Sequence, residues 1–157
     1  MSTGANSYKY QLCGGVCGYA QGAGNVEFIN CIAKAESVSG VLAANGGIGG
    51  FTGYISQPNS FRNCAACTVA SDILYNNAPI TGSSIKIYGG FLGRATAAAT
   101  LSDCHAPEGL QFGPSDGKEI RTGCSLMSTT SMTDGTLLLA LNNAASAIAG
   151  AMTWVKG

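Results

Sequence analysis

Short runs of alternating apolar and polar residues make up most of this chain, and one such run returns three times. Gly14-Gly15-Val16-Cys17-Gly18-Tyr19 leads through a polar gap to Asn30-Cys31. Gly49-Gly50-Phe51-Thr52-Gly53-Tyr54 leads to Asn63-Cys64, and Gly89-Gly90-Phe91-Leu92-Gly93-Arg94 leads to Asp103-Cys104. Each copy reads Gly-Gly-apolar-x-Gly, a polar gap, then a short apolar stretch closed by Asn-Cys or Asp-Cys. The first glycine and the cysteine stand 17, 15 and 15 residues apart, and successive copies begin 35 and 40 residues apart. A period of this size indicates one supersecondary unit stacked on itself, each unit burying a face that its neighbour provides. The pattern predicts a mostly all-β chain, a right-handed parallel β-solenoid or β-helix, with an antiparallel β-sandwich as the alternative.

Between the copies the pattern predicts further elements. Tyr8, Lys9 and Tyr10 read as a first edge strand, and Val26 to Val38 as mostly extended, with Glu27, Lys34 and Glu36 alternating with small or apolar residues. Phe28, Phe61 and Leu101 share one repeat position. Asn76-Asn77-Ala78-Pro79 marks a protruding turn, and Ile85 to Tyr88 a strand entering the third copy. From His105 to Ser131 the repeat breaks at Pro107, Gly109, Gly113, Pro114 and Gly117, which predicts an irregular loop with one more strand inside Ile120 to Met127. Leu137, Leu138, Leu141, Ala144, Ala145, Ile148 and Met152 fall at helical spacing over Thr136 to Met152, with Asp134 as N-cap. The expected organisation is a repeat unit over residues 1–131, with its irregular loop at 105–131. A capping helix and tail follow over 132–157, the helix shielding the last coil.

Composition narrows the function. Charged residues are 10% of the 157, against roughly 25% in ordinary globular proteins, and eight basic residues balance eight acidic ones. No Lys/Arg run exists, so the basic face that binds nucleic acid is missing. The 23 glycines sit among 46% apolar residues, too hydrophobic for disorder. No stretch approaches the roughly 18 to 20 apolar residues of a membrane span, so no membrane insertion is expected. Met1 to Gln11 is polar and lacks the pattern of an export leader.

Candidate chemistry is sparse. Cys31, Cys64 and Cys104 occupy one repeat position and would stack about 4.8 Å apart as a structural ladder of small buried thiols. The seven cysteines leave at least one thiol without an intrachain partner. Cys64 and Cys67 form a lone C-x-x-C; three apart on a strand they face opposite sides, and no second pair exists to complete a metal site. His105, the sole histidine, follows Cys104 directly, so a Cys–His nucleophile pair would require adjacent strand residues to face the same way. A polysaccharide-cleaving site would draw on Asp72, Asp103, Arg62 and Arg94, but the two arginines are not at equivalent repeat positions. The glycine-rich elements lack the Lys-Ser/Thr of a phosphate loop. No catalytic, cofactor-binding or metal-binding residue is assigned. Among the six tyrosines, Tyr19 and Tyr54 share a repeat position that Arg94 takes in the third copy; the three are candidate ligand-binding residues, with Arg94 over the Tyr54 ring. The structural reading of the same residues is a stacked flank.

The Gly-Gly-Phe-x-Gly element followed by Asn-Cys, clearest from Gly49 to Cys64, resembles the GLUG-type repeat of bacterial surface proteins, found especially in gut Bacteroidetes. Gly135-Thr136-Leu137, Ala140-Leu141-Asn142 and Trp154 resemble the tail of such proteins. The resemblance covers residues 15–104 and, more loosely, the tail. The Cys or Thr at the fourth motif position, the long 65–88 connection and the charged 105–122 loop depart from the family. It implies a β-solenoid in an adhesin-like, glycine-rich extracellular protein, with no catalytic residues to carry over. The expected function is a non-catalytic structural or adhesive module that binds a glycan or host surface protein, or self-assembles. The alternative is a carbohydrate-active lyase or hydrolase on a β-helix. A cell-surface location is expected, with a leader these residues do not contain; a cytoplasmic location is the alternative. Residues 5–12 would present an unpaired coil edge with Lys9 as its sole charge, which either docks onto a preceding domain or pairs with a second copy, a head-to-head dimer being favoured over an open filament.

Overall fold

The computed structural model describes residues 12–21, 24–40, 47–79, 88–109 and 122–156. The first copy contributes β1 (Leu12–Gly14), β2 (Cys17–Ala20), β3 (Val26–Ile29), β4 (Ile32–Ala33) and β5 (Val38–Gly40). The second contributes β6 (Gly47–Gly49), β7 (Thr52–Ile55), β8 (Asn59–Arg62), β9 (Ala65–Ala66), β10 (Ile73–Tyr75) and β11 (Ala78–Pro79). The third contributes β12 (Tyr88–Gly89), β13 (Leu92–Ala95), β14 (Ala99–Ser102) and β15 (Cys104–Pro107), after which come β16 (Cys124–Met127), α1 (Thr129–Thr133) and α2 (Thr136–Ala145).

Strands at like positions of the copies pair in parallel. The sheets are β1-β6-β12, β2-β7-β13, β3-β8-β14 and β4-β9-β15-β16, and β5 pairs β10 in a fifth. The exception is the antiparallel β10–β11 hairpin, whose turn residues Asn76 and Asn77 both have positive φ, as a tight two-residue turn requires. The pairing is in register with the sequence repeat. Gly14, Gly49 and Gly89 lie side by side, as do Tyr19, Tyr54 and Arg94, and Phe28, Phe61 and Leu101. The molecule is therefore dominated by short parallel sheets, which is not the pairing of an antiparallel sandwich.

The stretch expected to run extended from Val26 to Val38 is instead three strands. Its first break is at Asn30, whose φ of 54° is left-handed; Asn63 and Asp103 repeat the conformation at 52° and 53°. Asn and Asp tolerate this region better than other side chains. The Asn-Cys and Asp-Cys pairs are therefore corners at which one sheet ends and the next begins.

The corners fold the copies around an aromatic core. Phe28 stacks on Phe61 at 5.0 Å, and Phe51 on Phe91 at 4.8 Å, with interplanar angles of 3° and 8°. The two columns meet edge to face, Phe51 against Phe61 at 89°. Offset stacks and edge contacts of this kind add to the area they bury.

Three expectations are corrected. The loop expected from residue 105 begins with a strand, because His105 to Pro107 continue the pairing of β15 with β16; residues 110–121 lie outside the described set. Helix α2 ends at Ala145 rather than Met152: tighter turns follow, and Gly150 takes φ 77°. The helix also does not close the end of the stack. Leu137 and Leu141 pack with Ile32, Ala65, Cys67 and Met127, contributed by the first copy, the second copy and β16. Ile32 and Ala65 alternate with Ala33 and Ala66, which face the aromatic core, so α2 lies along the outer face of the β4-β9-β15-β16 sheet. Tyr8 to Tyr10, Ile85 to Ile87 and all of 5–12 except Leu12 fall outside the described residues.

Candidate functional site

Tyr19, Tyr54 and Arg94 are brought into one file by the β2-β7-β13 sheet. The tyrosine rings stack at 5.1 Å and 4°, and the Arg94 guanidinium lies over the Tyr54 ring, 5.3 Å from its centroid. Each tyrosine hydroxyl bonds a hydroxyl one copy further on, Tyr19 to Ser56 at 2.8 Å and Tyr54 to Thr96 at 2.9 Å. Both faces of the Tyr54 ring are thus covered, and both hydroxyls are engaged. A sugar stacking on this flank would find only edges at Tyr54, while Tyr19, 38% exposed, has one face on Tyr54.

Cys31, Cys64 and Cys104 each follow a left-handed corner. Cys64 and Cys104 are fully buried. The Cys64 thiol lies 3.4 Å from the carbonyls of Arg62 and of Phe28 in the preceding copy, and Cys104 stands likewise to Ser102 and Phe61. The thiols are therefore weak hydrogen-bond ties between copies. Cys124, in register with Cys104, extends the column by one position, although no Gly-Gly element precedes it at the repeat spacing. All seven cysteines are free thiols. Hydrogen bonding with Cys104, together with burial, pushes the Cys64 thiol far up, and burial pushes Cys124 to about 12. Such thiols keep their protons and are poor nucleophiles or ligands.

The remaining candidates are dispersed. Cys64 joins the aromatic core whereas Cys67 packs beneath α2, so the C-x-x-C faces two ways. Cys104 points into the core, while His105 is flanked on the opposite face by Ala65 and Ser125. Arg62 is on β8 and Arg94 on β13; Asp72 ends a short 3-10 turn and Asp103 occupies a corner. Among the described residues no group of three or more His, Cys, Asp or Glu side chains could hold a metal ion.

The polar network that sequence reasoning missed joins the asparagine corners to the tail. Asn63 Nδ2 donates to Asn30 Oδ1 at 2.8 Å and to the Leu141 carbonyl at 2.9 Å. Trp154 Nε1 donates to the same Asn30 oxygen at 2.9 Å, and Asn30 Nδ2 donates to the Met152 carbonyl. Asn142 clasps the Trp154 backbone, accepting from its N–H and donating to its carbonyl. The signal available in the sequence was the recurrence of Asn before Cys together with the Asn142…Trp154 tail.

No family model, curated protein or solved structure matches the chain.

His105 supplies a pH test of the sheet beneath α2. Its Nδ1 is buried without a hydrogen-bond partner. Burial holds the imidazole below its ordinary value of 6.5, and Asp103 opposes this in part. The folded state therefore prefers the neutral ring. Nothing is lost above pH 6.5; as pH falls through that value the unfolded chain takes up the proton first, and stability declines until the folded pKa is passed. Between pH 7.5 and 5 the melting temperature should fall by about 1–3 °C on this account. His105→Gln should flatten that slope in a thermal scan across the same range; an unchanged slope would refute the assignment.

Proposed function

We propose that the chain is a right-handed parallel β-solenoid of the GLUG-repeat kind, serving as a non-catalytic structural or adhesive module of a bacterial surface protein. The observation that carries this reading is the in-register parallel pairing of the three copies, which aligns every repeat position into a file: glycine, tyrosine–arginine, phenylalanine and cysteine. Solenoids bury each unit against its neighbours and leave long flanks for recognition. The tyrosine–arginine file serves cohesion between coils at Tyr54 in this reading, since Tyr19 and Arg94 take its two faces. Recognition of a glycan or host protein then falls to Tyr19, 38% exposed, or to other parts of the flank.

The carbohydrate-active alternative gains no specific support: Arg62 and Asp103 are neighbours at the ends of β8 and β14, but Arg94 is in the β2-β7-β13 sheet and Asp72 in a 3-10 turn. A glycan array combined with a polysaccharide depolymerisation screen tests the choice. Saturable binding of a glycan or an extracellular host protein without new reducing ends or unsaturated products is the expected result. Turnover of any polysaccharide, abolished by substituting the charged residues of a cleft, would overturn it.

A further inference from the structure

The space between α2 and the sheet it covers is not closed. A cavity of about 430 Å³ remains there, within the roughly 300–1,000 Å³ of ordinary small-molecule sites. Its walls are mostly apolar, with Ile32 and Val69 on the sheet side, Met132 from α1, and Leu137 and Leu141 from α2, beside the hydroxyls of Thr129 and Thr133. Two lysines, Lys34 and Lys156, also line it, both exposed to solvent, and among the described residues no Asp or Glu side chain does. Asp134, between the lining residues Thr133 and Gly135, is turned onto the Thr136 N–H. In a chain with no net charge, a largely apolar pocket with two cations and no anion among its described lining residues has a defined chemical preference.

We propose that this cavity binds a single-chain amphiphile with one anionic head, of the medium-chain carboxylate class. The tail lies against the leucines of α2, and the head meets Lys34 and Lys156 at the rim. Free carboxylate is the committed ligand rather than a membrane lipid, because the pocket has room for one chain of moderate size. The two lysines come from residues far apart in sequence, one after β4 and one in the tail that Asn142 and Asn30 hold in place. The site is thus assembled only when the tail is docked.

The protein carries its own reporters. Trp154, the sole tryptophan, packs on the same cluster as Leu137 and Leu141. Cys67 lines the cavity, while Cys64 and Cys104 are fully buried and serve as internal controls. Decanoate should change Trp154 fluorescence saturably and protect Cys67 from N-ethylmaleimide, read by peptide mass mapping. Decanol and decyltrimethylammonium should bind about five- to tenfold more weakly, the scale of two solvent-exposed charge contacts, and acetate should have no effect. Lys34→Gln/Lys156→Gln, at two exposed positions, should reduce decanoate affinity to that of decanol, with unchanged far-ultraviolet circular dichroism. Equal affinity for decanoate and decanol, or no protection of Cys67 by either, would overturn the proposal. So would a response to phosphatidylglycerol vesicles without one to decanoate.

Discussion

Gly50→Ala is expected to prevent stable folding. A Cβ at Gly50 would stand 2.1 Å from the Gly90 carbonyl oxygen of the next copy, and one at Gly15 would stand 2.4 Å from the Gly50 oxygen. The obstacle at Gly50 is backbone of the next copy, between β12 and β13, so no rotamer change relieves it. Separation by more than an ångström would be needed, and it would break the ties that start there: Gly50 N–H to Gly89, and Phe51 and Thr52 N–H to the Phe91 carbonyl. The cost should exceed about 4 kcal/mol, within reach of the whole stability of a domain, about 5–15 kcal/mol. Gly24→Ala is the control, since nothing lies within 4 Å of its added Cβ; it should change stability by less than about 0.5 kcal/mol. Urea unfolding followed by Trp154 fluorescence measures both. A Gly50→Ala protein that folds within 1 kcal/mol of its parent, on the scale where surface changes are about 0.5 kcal/mol, would show that the close approach is not obligatory.

The same close approach explains why the pairing of the copies was readable in advance. A Gly-Gly at a fixed distance from an apolar position, a tyrosine and a cysteine constrains several residues of one register at once. A single offset therefore satisfies all of them, and the Tyr19–Tyr54–Arg94 and Phe28–Phe61 files follow from it. The corners were not readable in the same way. A run such as Val26-Glu27-Phe28-Ile29-Asn30-Cys31-Ile32 alternates well enough to be one strand, and alternation does not register a single left-handed residue. Three asparagine or aspartate residues in the same place carried that information, through conformational preference rather than hydropathy.

The position of α2 was misread for a related reason. Its periodicity describes a helix with one apolar face and says nothing about the surface that face will meet. Ile32 and Ala65, which receive it, look like ordinary strand residues, and the amide that ties it, Asn63 Nδ2 on the Leu141 carbonyl, lies 78 residues from its partner. The cavity was invisible for the same cause: Lys34, Cys67, Leu141 and Lys156 share no local pattern. Repetition specifies how copies meet one another; it leaves open how a non-repeating segment docks on their flank.

Asn63 is where the repeat and that segment join, and its substitutions should separate two costs. It is fully buried, left-handed at φ 52°, and its amide ties Asn30 and Leu141 together. Asn63→Ala forces a Cβ residue without local hydrogen bonding into the left-handed region, at roughly 1–2 kcal/mol, and deletes two hydrogen bonds, at about 0.5–1.5 kcal/mol each. The expected loss is about 2–5 kcal/mol by denaturant titration. Asn63→Gly removes the same bonds but accepts the backbone angle, so it should be about 1 kcal/mol less damaging than alanine. Both variants free Asn30 Oδ1 of one of its two donors and should loosen the docked tail, moving Trp154 emission to longer wavelength under native conditions. If glycine proves as damaging as alanine, the corner angle is not what asparagine supplies at this position. If Trp154 emission is unmoved in both, the tail is held by Asn142 and packing alone, and the corner column does not anchor it.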